Sequence, residues 1–393
     1  MREGWTETTL GDVAEVVGGG TPSTAKEEFW DGDVIWLTPT EVTAIDGKVV
    51  FDSKRKITQA GLRSSGARIL PRGTVILTSR ASVGFVALAG TELTTNQGFQ
   101  SLIPSELVDG VFLMFWIQMN RSEFESRSAG STFKEISKSN VKSIAMNLPP
   151  LAEQKRIVDV VSSVDSYIDA LQQQADSTRT ARDAVLHELL SAGGDAWTES
   201  TLGDISIFVS RRELPKDLAL DTPYVGLEHV EPKTTLISTW GNVKSVSSSV
   251  TPFEPEDTLF GRLRPYLHKV AFADFPGVCS PEILVLRSSS KCMPKFLYLL
   301  CSLDSTVKKC VDMSAGTRMP RTSTTDLASI EIQLPPLDEQ KRIVEIVSSM
   351  DDVIQSTEQA VIDAKNLRSG LLSDLLSGEH EIPASYDSLL GAA

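Results

Sequence analysis

The sequence predicts an α+β protein with a pseudo-twofold internal repeat, in which two mixed α/β domains are separated by two long antiparallel helices that form a coiled-coil spacer. Three observations support this fold class. The chain repeats some of its own segments, short apolar runs fill the interior of each half, and a heptad pattern follows each interior. The 393 residues, 41 % of them hydrophobic, are enough for about two or three domains with buried cores.

The repeat is clearest at the ends of the two halves. WTETTLGD at Trp5–Asp12 returns as WTESTLGD at Trp197–Asp204, and LPPLAEQKRIV from Leu148 returns as LPPLDEQKRIV from Leu334. Between these ends the halves differ, so the sequence indicates a duplicated frame with divergent content. The predicted segments are residues 1–150 and 193–336 for the domains, 151–192 and 337–378 for the spacer helices, and 379–393 for a C-terminal tail.

The interior of each half is predicted to be rich in β-strands. Gly73–Ser79, Ser82–Ala89 and Glu282–Arg287 are short apolar runs bounded by turn residues, as strands usually are. Helices are expected at about Val111–Arg121 and Pro294–Val311. Each half is therefore expected to contain one mixed α/β globule.

The spacer helices are predicted from heptad seams that begin after each Pro-Pro pair, where proline is tolerated in a helix. The apolar residues of the seams are Ile157, Val161, Val164, Ile168 and Leu171 in the first helix, and Ile343, Val347, Met350 and Ile354 in the second. An arginine interrupts each seam, Arg182 in the first and Arg368 in the second. Matching interruptions at the same register predict that the two helices face a common partner, most simply each other.

The distribution of charge matters more than its total. A net charge of −14 argues at first against a nucleic-acid partner, but residues 151–195 and 334–393 together carry −11 of it. The two predicted domains are nearly neutral, and their positive residues cluster at 51–91, at 287–321 and in the segment GRLRPYLHK from Gly261. Such clusters suit contacts with phosphate, although ordinary solvated surface is the alternative interpretation.

The sequence contains no P-loop, no H-E-x-x-H metal site and no G-x-S-x-G nucleophile elbow. Glu153 and Glu339 each begin an E-x-K string found in some Mg²⁺ nucleases, but both lie at predicted helix starts, where acidic residues stabilise the helix dipole. The four cysteines form no C-x-x-C pair. We therefore expect a binding protein with no catalytic residues, no metal site and no cofactor.

No apolar run approaches the ~20 residues that a membrane span needs, and the first ten residues lack the apolar core of a signal peptide. We expect a cytoplasmic protein with reduced thiols and no membrane partner.

The repeated frame resembles the specificity subunit of type I restriction-modification systems. The resemblance covers essentially the whole chain and includes fragments inside each half. These are GGGTPS, ILTSRASVGFVAL and TNQ in the first half, and DTLFGRLRPYLHKVAF and SPEILVLR in the second.

The resemblance implies that each domain is a target recognition domain that reads one half of an asymmetric, bipartite double-stranded DNA target. It also implies that two methyltransferase subunits dock on the helices, that restriction subunits with translocase activity join the complex, and that this subunit has no catalytic residues of its own. The alternative is a silent or orphan specificity cassette that acts only as a protein-interaction scaffold.

The candidate DNA contacts are polar and basic residues of the two domains. Arginine can pair bidentately with guanine and Asn or Gln with adenine, whereas lysine more often contacts phosphate. The alternative for each residue is a surface or fold-stabilising role. The candidates are Ser79, Arg80, Asn96, Gln97 and Lys134 in the first domain, and Arg262, Arg264, Tyr266, Lys269, Arg318 and Arg321 in the second.

Overall fold

The structure, a computed structural model, describes residues 2, 4–130, 134–233, 237, 239–314 and 319–390. The chain folds into two compact units. The first unit contains Met1–Gln172 and Glu358–Ala393, and the second contains Gln173–Thr357.

The elements from the start of the chain to the end of the first long helix are, in order, β1 (Thr6–Thr9), α1 (Leu10–Val13), β2 (Ala14–Gly18), β3 (Trp30–Leu37), α2 (Pro39–Ala44), β4 (Val49–Val50), β5 (Lys56–Ile57), α3 (Gln59–Ser64), β6 (Val75–Leu77), β7 (Val86–Ala89), β8 (Thr94–Thr95), β9 (Gln100–Pro104), α4 (Gly110–Met119), α5 (Arg121–Ser126), α6 (Lys138–Lys142), β10 (Ala145–Leu148) and α7 (Leu151–Ser191).

The remaining elements are β11 (Thr198–Thr201), α8 (Leu202–Ile205), β12 (Ser206–Phe208), β13 (Pro223–Val225), β14 (Gly241–Asn242), β15 (Thr251–Phe253), β16 (Thr258–Gly261), β17 (Val270–Phe272), β18 (Gly277–Cys279), β19 (Ile283–Ser288), α9 (Pro294–Cys301), α10 (Asp304–Met313), α11 (Thr324–Ala328), β20 (Glu331–Leu334), α12 (Leu337–Ser377) and α13 (Asp387–Leu390).

The two units contain closely similar sheets. In the first unit the strands are ordered β2-β9-β6-β7-β4 in one sheet and β5-β3-β8 in the other. In the second the orders are β12-β19-β16-β17 and β14-β13-β18-β15. In both units an antiparallel hairpin (β6-β7 or β16-β17) lies in the first sheet, and a parallel pair (β3-β8 or β13-β18) lies in the second. With the two long helices, this arrangement confirms the predicted fold class.

The helical segment predicted at about Pro294–Val311 is divided in the structure. It forms two helices, α9 and α10, separated by Ser302 and Leu303. Leu303 has an extended backbone, with φ −65° and ψ 137°. The break lets two helices with different buried faces pack on the same core, because Phe296 to Cys301 are all buried whereas α10 buries only one side.

The repeated ends of each half pair with one another. β1 pairs antiparallel with β10, with Thr6 opposite Leu148. β11 pairs in the same way with β20, with Thr198 opposite Leu334. The two repeated motifs of each half therefore form one small sheet, and the long helix begins directly after it.

The first turn of each long helix is fixed to this small sheet by the repeated Glu-Gln pair. In the first unit, Trp5 Nε1 donates to Glu153 Oε2 at 3.1 Å. Gln154, fully buried, donates to the carbonyls of Pro149 and Leu107 and accepts from the Asp109 amide. These contacts give the E-x-K glutamate a structural role, as the sequence suggested.

The second unit repeats these contacts. Trp197 Nε1 donates to Glu339 Oε2 at 2.8 Å. Gln340 donates to the Pro335 and Lys291 carbonyls and accepts from the Met293 amide at 2.8 Å. Equivalent side chains of the repeated motifs therefore hold the first turn of each long helix.

The helices α7 and α12 have 41 residues each, and parts of both lie in each unit. Ile157, Val161, Ile168, Ile343 and Val347 of the predicted seams are buried. The other four seam residues, Val164, Leu171, Met350 and Ile354, are half-buried.

The two arginines that interrupt the seams each pair with an aspartate of the other long helix. In the second unit Arg182 Nε lies 2.9 Å from Asp351 Oδ1. In the first unit Arg368 Nη2 lies 3.0 Å from Asp165 Oδ2. Burial is the largest single influence and lowers the pKa of Arg182, but the attraction of Asp351, with smaller contributions that include Asp183, raises that pKa above its ordinary value. The interruptions are therefore charge pairs, and their register makes the helix pair antiparallel within each unit.

The four cysteines are buried and not cross-linked. Burial raises the pKa of the Cys310 thiol to about 11, so this thiol is a poor nucleophile at neutral pH. No helix in the described part of the chain is both long and apolar enough to span a membrane.

Candidate nucleic-acid interface

Each unit carries one hairpin whose loop displays predicted DNA-contact residues. In the first unit, residues 78–85 join β6 to β7 and include Arg80. In the second, residues 262–269 join β16 to β17 and include Arg264. These segments are called the first and second hairpin loops.

Backbone hydrogen bonds fix the first hairpin loop from two sides. The Ser79 amide donates to the Gly98 carbonyl at 2.7 Å, and the Ser79 carbonyl accepts from the Ile136 amide at 3.0 Å. The Ala81 amide donates to the Lys134 carbonyl at 3.0 Å. Ala81 has φ 61°, in the left-handed region, so the chain turns sharply there.

The second hairpin loop is held by the same set of bonds. The Arg262 amide donates to the Glu282 carbonyl at 2.9 Å, and its carbonyl accepts from the Thr322 amide at 3.0 Å. The Arg264 amide donates to the Pro320 carbonyl at 2.8 Å. Arg264 has φ 52°.

Ser79 is therefore the structural counterpart of Arg262, and Ala81 that of Arg264. The sequences around these positions, LTSRASVG and LFGRLRPYLHK, gave no such correspondence. The two units thus present one backbone frame that displays different side chains.

The structure brings Arg80 and Lys134 together at the first hairpin loop. Both side chains are exposed, and Arg80 Nε lies 2.8 Å from Glu135 Oε1. Lys134 is far from the loop in the sequence, and the backbone hydrogen bond between Ala81 and Lys134 places its positive charge beside the loop. Ser79 is buried, and its Oγ has no hydrogen-bond partner among the described residues, so its place in the structure is internal.

Asn96 and Gln97 lie beside this loop, on the turn that ends in Gly98. Asn96 Oδ1 accepts from the Gly98 amide at 2.7 Å, so this side chain stabilises the turn. Gln97 is exposed, and its Oε1 accepts from Thr21 Oγ1 of the glycine-rich GGGTPS segment.

In the second unit, Arg321 is held by a carboxylate. Its Nε and Nη2 donate to the two oxygens of Glu282 at 3.0 and 2.9 Å. This hydrogen-bonded pair raises the pKa of Arg321 above its already high ordinary value. Arg321 lies opposite Leu263 of the second hairpin loop, so the structure joins it to the candidates of that loop.

The other second-unit candidates differ in availability. Arg264 is exposed, and the Tyr266 side chain, 55 % exposed, projects from a 3₁₀ turn at Pro265–Leu267. Lys269 Nζ donates to the Leu227 carbonyl at 2.6 Å, a bond that holds the end of the loop. Arg262 is half-buried, with no partner for Nε among the described residues. The candidate Arg318 lies outside the described residues.

Several other basic residues of the predicted clusters are paired internally. Arg68 Nη1 lies 2.6 Å from Glu15 Oε1. Arg287 donates through two nitrogens to the buried Asp257, and this raises the pKa of Arg287. The positive clusters seen in the sequence are therefore reduced by ion pairs in the fold.

The carboxylates Glu135 and Glu282 carry no signal in the sequence that links them to the hairpin loops. Each lies far along the chain from the arginine or loop that it contacts. The bridge between Arg80 and Glu135 places Glu135 at the first loop, and the hydrogen bond from the Arg262 amide to the Glu282 carbonyl places Glu282 at the second. Among the described residues, no three His, Cys, Asp or Glu side chains are grouped so that they could hold a metal ion.

The chain matches twice the model of a family described as the type I restriction modification DNA specificity domain, at residues 2–177 and 195–364. It is 26 % identical over 404 residues to the type I restriction enzyme MjaIX specificity subunit of Methanocaldococcus jannaschii, an alignment that covers 95 % of this chain and 93 % of that protein. It is also 26 % identical over 182 residues to the EcoR124I/EcoR124II specificity subunit of Escherichia coli, 44 % of each chain.

Solved structures show the same fold. The crystal structure of a type I restriction-modification S subunit from M. genitalium has a TM-score of 0.57 and 18 % identity, over 95 % of this chain and 96 % of that one. A chain from a structure of the type I restriction-modification system, described in terms of complex assembly and conformational transition, also has a TM-score of 0.57. Its identity is 15 %, over 96 % of this chain and 98 % of that one.

Proposed function

The chain belongs to the type I restriction-modification DNA specificity family, and we propose that it is the sequence-specific DNA recognition subunit of a type I restriction-modification complex. The observation that carries this proposal is the pair of hairpin loops, which have one backbone frame and different exposed side chains. Two unlike surfaces read two unlike half-sites, so the target is bipartite and asymmetric.

In the first unit the surface that reads DNA is built around Arg80 and Lys134. The Glu135 carboxylate orients the Arg80 guanidinium while leaving the side chain exposed. A guanidinium oriented in this way can donate to a guanine edge, and Lys134 is suited to a phosphate. Gln97 on the adjacent turn can contact a base, whereas Asn96 holds the turn.

In the second unit Arg264 and Tyr266 are the most accessible candidates. Arg264 supplies a cation at the sharp turn, and Tyr266 supplies an exposed ring beside it. Arg321 is held by Glu282 and lies opposite Leu263 of the loop. Lys269 holds the end of the loop through its bond to the Leu227 carbonyl, and Arg262 is half-buried with no partner for Nε among the described residues.

The long helices are the docking elements for protein partners in this proposal. The frame contacts at Glu153 and Gln154 recur at Glu339 and Gln340, so the chain offers two equivalent sites, one for each of two methyltransferase subunits. Restriction subunits with translocase activity join that complex. Catalysis belongs to these partners, and this chain contributes target choice.

The charge distribution supports this division of labour. The two α/β regions are nearly neutral and the negative charge lies on the helices and tail. Because phosphate neutralisation supplies most non-specific affinity, the isolated chain binds DNA weakly. The methyltransferase partners then supply a large electrostatic share of the affinity.

The test is to map methylated bases by long-read sequencing of host DNA with and without this gene. Loss of one interrupted, asymmetric methyladenine motif on deletion, and its return on complementation, is the expected result. An unchanged methylation pattern, in a strain where tagged chain captures a methyltransferase, would contradict the proposal and favour a silent scaffold. Capture of no methyltransferase would contradict the docking role.

A further inference from the structure

The C-terminal tail packs against the start of α7 in the first unit. The Tyr386 hydroxyl donates to Asp159 Oδ2 at 2.6 Å, and this bond to a carboxylate raises the pKa of Tyr386. The phenol therefore stays protonated at neutral pH and remains a donor. One residue further along, Asp387 Oδ2 lies 3.7 Å from Arg156 Nη1. The tail thus presents a donor to an acidic residue of α7 and a carboxylate to a basic one.

An apolar contact holds the tail between these polar contacts and the end of α12. Ile382 is buried in one apolar cluster with Ile157 of α7 and with Leu375 and Leu376 of α12. Two residues earlier, the His380 carbonyl accepts from Arg2 Nη1 at 3.2 Å. The tail is therefore fixed to the first unit by buried apolar surface as well as by hydrogen bonds.

The second unit repeats the two helix ends but not the tail. After α7, residues 192–196 lead directly to Trp197, and all of them are exposed. No residue of this short connection corresponds to Ile382, Tyr386 or Asp387. The copy of the surface that the tail occupies is therefore without such an occupant in the second unit.

The same side chains are consequently covered in one unit and open in the other. Arg156 is 8 % exposed, whereas its copy Arg342 is exposed. Leu375 and Leu376 are buried, whereas their copies are half-buried. We call the first-unit set the covered corner and the second-unit set the open corner. The covered corner is Trp5, Arg156, Asp159, Leu375 and Leu376, and the open corner is Trp197, Arg342, Glu345, Leu189 and Leu190.

Arg342 is repeated although it holds nothing within the second unit. It forms no ion pair in the part of the chain that the structure describes, and the adjacent ion pair joins Lys341 to Glu345 at 3.9 Å. The helix start is held by the Trp197–Glu339 bond instead. Arginine and aromatic residues are enriched where proteins bind each other, so this exposed arginine near a half-buried tryptophan suits a docking surface.

The tail shows which chemistry fits such a surface. On the covered corner the occupant directs a carboxylate towards Arg156 and buries an isoleucine beside leucines. The partner of the open corner is therefore expected to carry an acidic side chain close to an apolar one, because charge complementarity selects partners.

We propose that the open corner is the tighter of two docking surfaces for methyltransferase subunits, and that the tail closes the copy of this surface in the first unit. This inference rests on the proposed function. The two helix starts have the same frame contacts, but only the one in the second unit is accessible without rearrangement. A subunit that binds the covered corner must displace the tail, so its affinity is reduced by the fraction of molecules in which the tail is displaced. The chain therefore binds its first methyltransferase subunit at the second unit.

The first test examines the chain alone with phenylglyoxal, which modifies accessible arginines. Mass spectrometry follows the peptides that contain Arg156 and Arg342. Arg342 is expected to react roughly tenfold faster or more, since one charged hydrogen bond of the tail is worth about that factor. A chain that ends at Pro383 keeps Ile382 but lacks Tyr386 and Asp387, and its Arg156 is expected to react as fast as Arg342. Equal rates in the full chain, or an unreactive Arg156 in the shortened one, would overturn the proposal.

The second test titrates the captured methyltransferase subunit into the full chain. Two binding steps are expected whose dissociation constants differ by roughly tenfold beyond the statistical difference between identical sites. Ending the chain at Pro383 is expected to strengthen the weaker step by that factor and leave the tighter one unchanged. Arg342→Glu is expected to weaken only the tighter step, also roughly tenfold. Lys365→Glu, the same change of charge at an exposed residue further along α12, is the control and should change neither step.

A milder variant guards against a shortened chain that fails to fold. Tyr386→Phe keeps the ring and removes only the bond to Asp159, so it is expected to strengthen the weaker step about threefold. Two equal steps in the wild type, or a weaker step that none of the tail variants strengthens, contradicts the inference. A chain that captures no methyltransferase contradicts the proposed function instead, and the labelling rates still report whether the tail covers Arg156.

Discussion

The two hairpin loops differ in how they place an arginine beside a carboxylate. In the first unit the loop supplies Arg80, and the segment opposite it supplies Glu135. In the second unit the segment opposite the loop supplies Arg321, and Glu282 supplies the partner carboxylate. The backbone carbonyl of Glu282 also accepts a hydrogen bond from the Arg262 amide. Glu135 and Arg321 occupy equivalent positions and carry opposite charge. The pairing of charges is kept, while the residues that provide it have been exchanged.

This comparison shows why the backbone of the two hairpin loops tolerates such an exchange of side chains. Backbone amides and carbonyls hold both loops, and these groups are the same whatever the side chains are. The frame side chains do not vary in the same way, since Trp5, Glu153 and Gln154 all have copies in the second unit. Residues whose side chains hold the backbone are the same in both units, whereas residues whose side chains project from the backbone differ between the units.

The largest effect is expected from the buried glutamines of the frame. Gln154→Leu and Gln340→Leu each leave three backbone groups without a partner, so each should lower the free energy of unfolding by about 3–6 kcal/mol. Denaturant unfolding gives the size of the loss, and amide hydrogen exchange locates it at the start of α7 or α12. The exposed neighbours Lys155→Leu and Lys341→Leu are matched controls with little expected loss. Strongly unequal losses of unfolding free energy for the two glutamine variants would contradict the equivalence of the two helix starts.

The seam ion pairs come next. Arg182→Met leaves a half-buried Asp351 without its partner, and Arg368→Met does the same to Asp165. Each should cost about 2–4 kcal/mol of unfolding free energy. Arg182 should be the more sensitive because its pair is 12 % and 15 % exposed, against 20 % and 29 % for the other pair.

The control for these pairs replaces both partners. Arg182→Met combined with Asp351→Leu removes the orphaned charge, so it should recover most of the stability that the single change loses. A double variant as unstable as the sum of its singles would mean that the charges do not interact. Thermal and denaturant unfolding of the full chain measure both.

Substitutions at the two hairpin loops should affect recognition of different half-sites. Arg80→Ala is expected to weaken discrimination at the first half-site about tenfold and leave the second unchanged, because a good base contact is worth about 1–3 kcal/mol. Arg321→Ala should affect only the second half-site, and by less, because two of its guanidinium nitrogens already donate to Glu282, whereas Arg80 contacts Glu135 through Nε. Duplexes altered in one half-site, bound by the methyltransferase complex, give the two ratios. Equal losses at both half-sites for either variant would contradict separate readers.

The smallest effect concerns the helix caps, and it should be the same in both units. Hydrogen bonds from the hydroxyl and amide of Thr9 lower the pKa of Asp12, and the same groups of Thr201 lower the pKa of Asp204. A lowered folded-state pKa gives stability that is present above the unfolded-state value of about 3.9 and is lost as pH falls through the folded-state value. Asp12→Ala and Asp204→Ala should therefore lose part of the acid dependence of the melting temperature below about pH 4. Melting curves from about pH 3 to pH 7 check this, and a variant with unchanged acid dependence would contradict the cap role.

The sequence predicted the frame well because the frame is encoded by local patterns. The heptad spacing located Ile157, Val161 and Ile343 on a buried face, since helical periodicity depends only on neighbouring turns. The repeat revealed that the two halves share a design. It also located the arginines of the seam, although not the aspartates that pair with them.

The candidate site was predicted less completely. Residue type suggested Ser79 and Asn96, but the fold buries the first and uses the second to hold a turn. The sequence offered no reason to join Arg80 to Glu135 or Arg321 to the second hairpin loop. These contacts depend on strands and turns that meet from distant parts of the chain, and spacing along the sequence does not record such meetings.

By itself, the sequence determined the duplicated frame, the long helices with their seams, and the family resemblance, because each is written in local periodicity or in repeated motifs. Only the tertiary structure decided that two unlike loops are equivalent and which carboxylates hold their arginines. The physical reason is that these features arise from backbone hydrogen bonds and charge contacts between distant segments, and the geometry of such contacts exists only after folding.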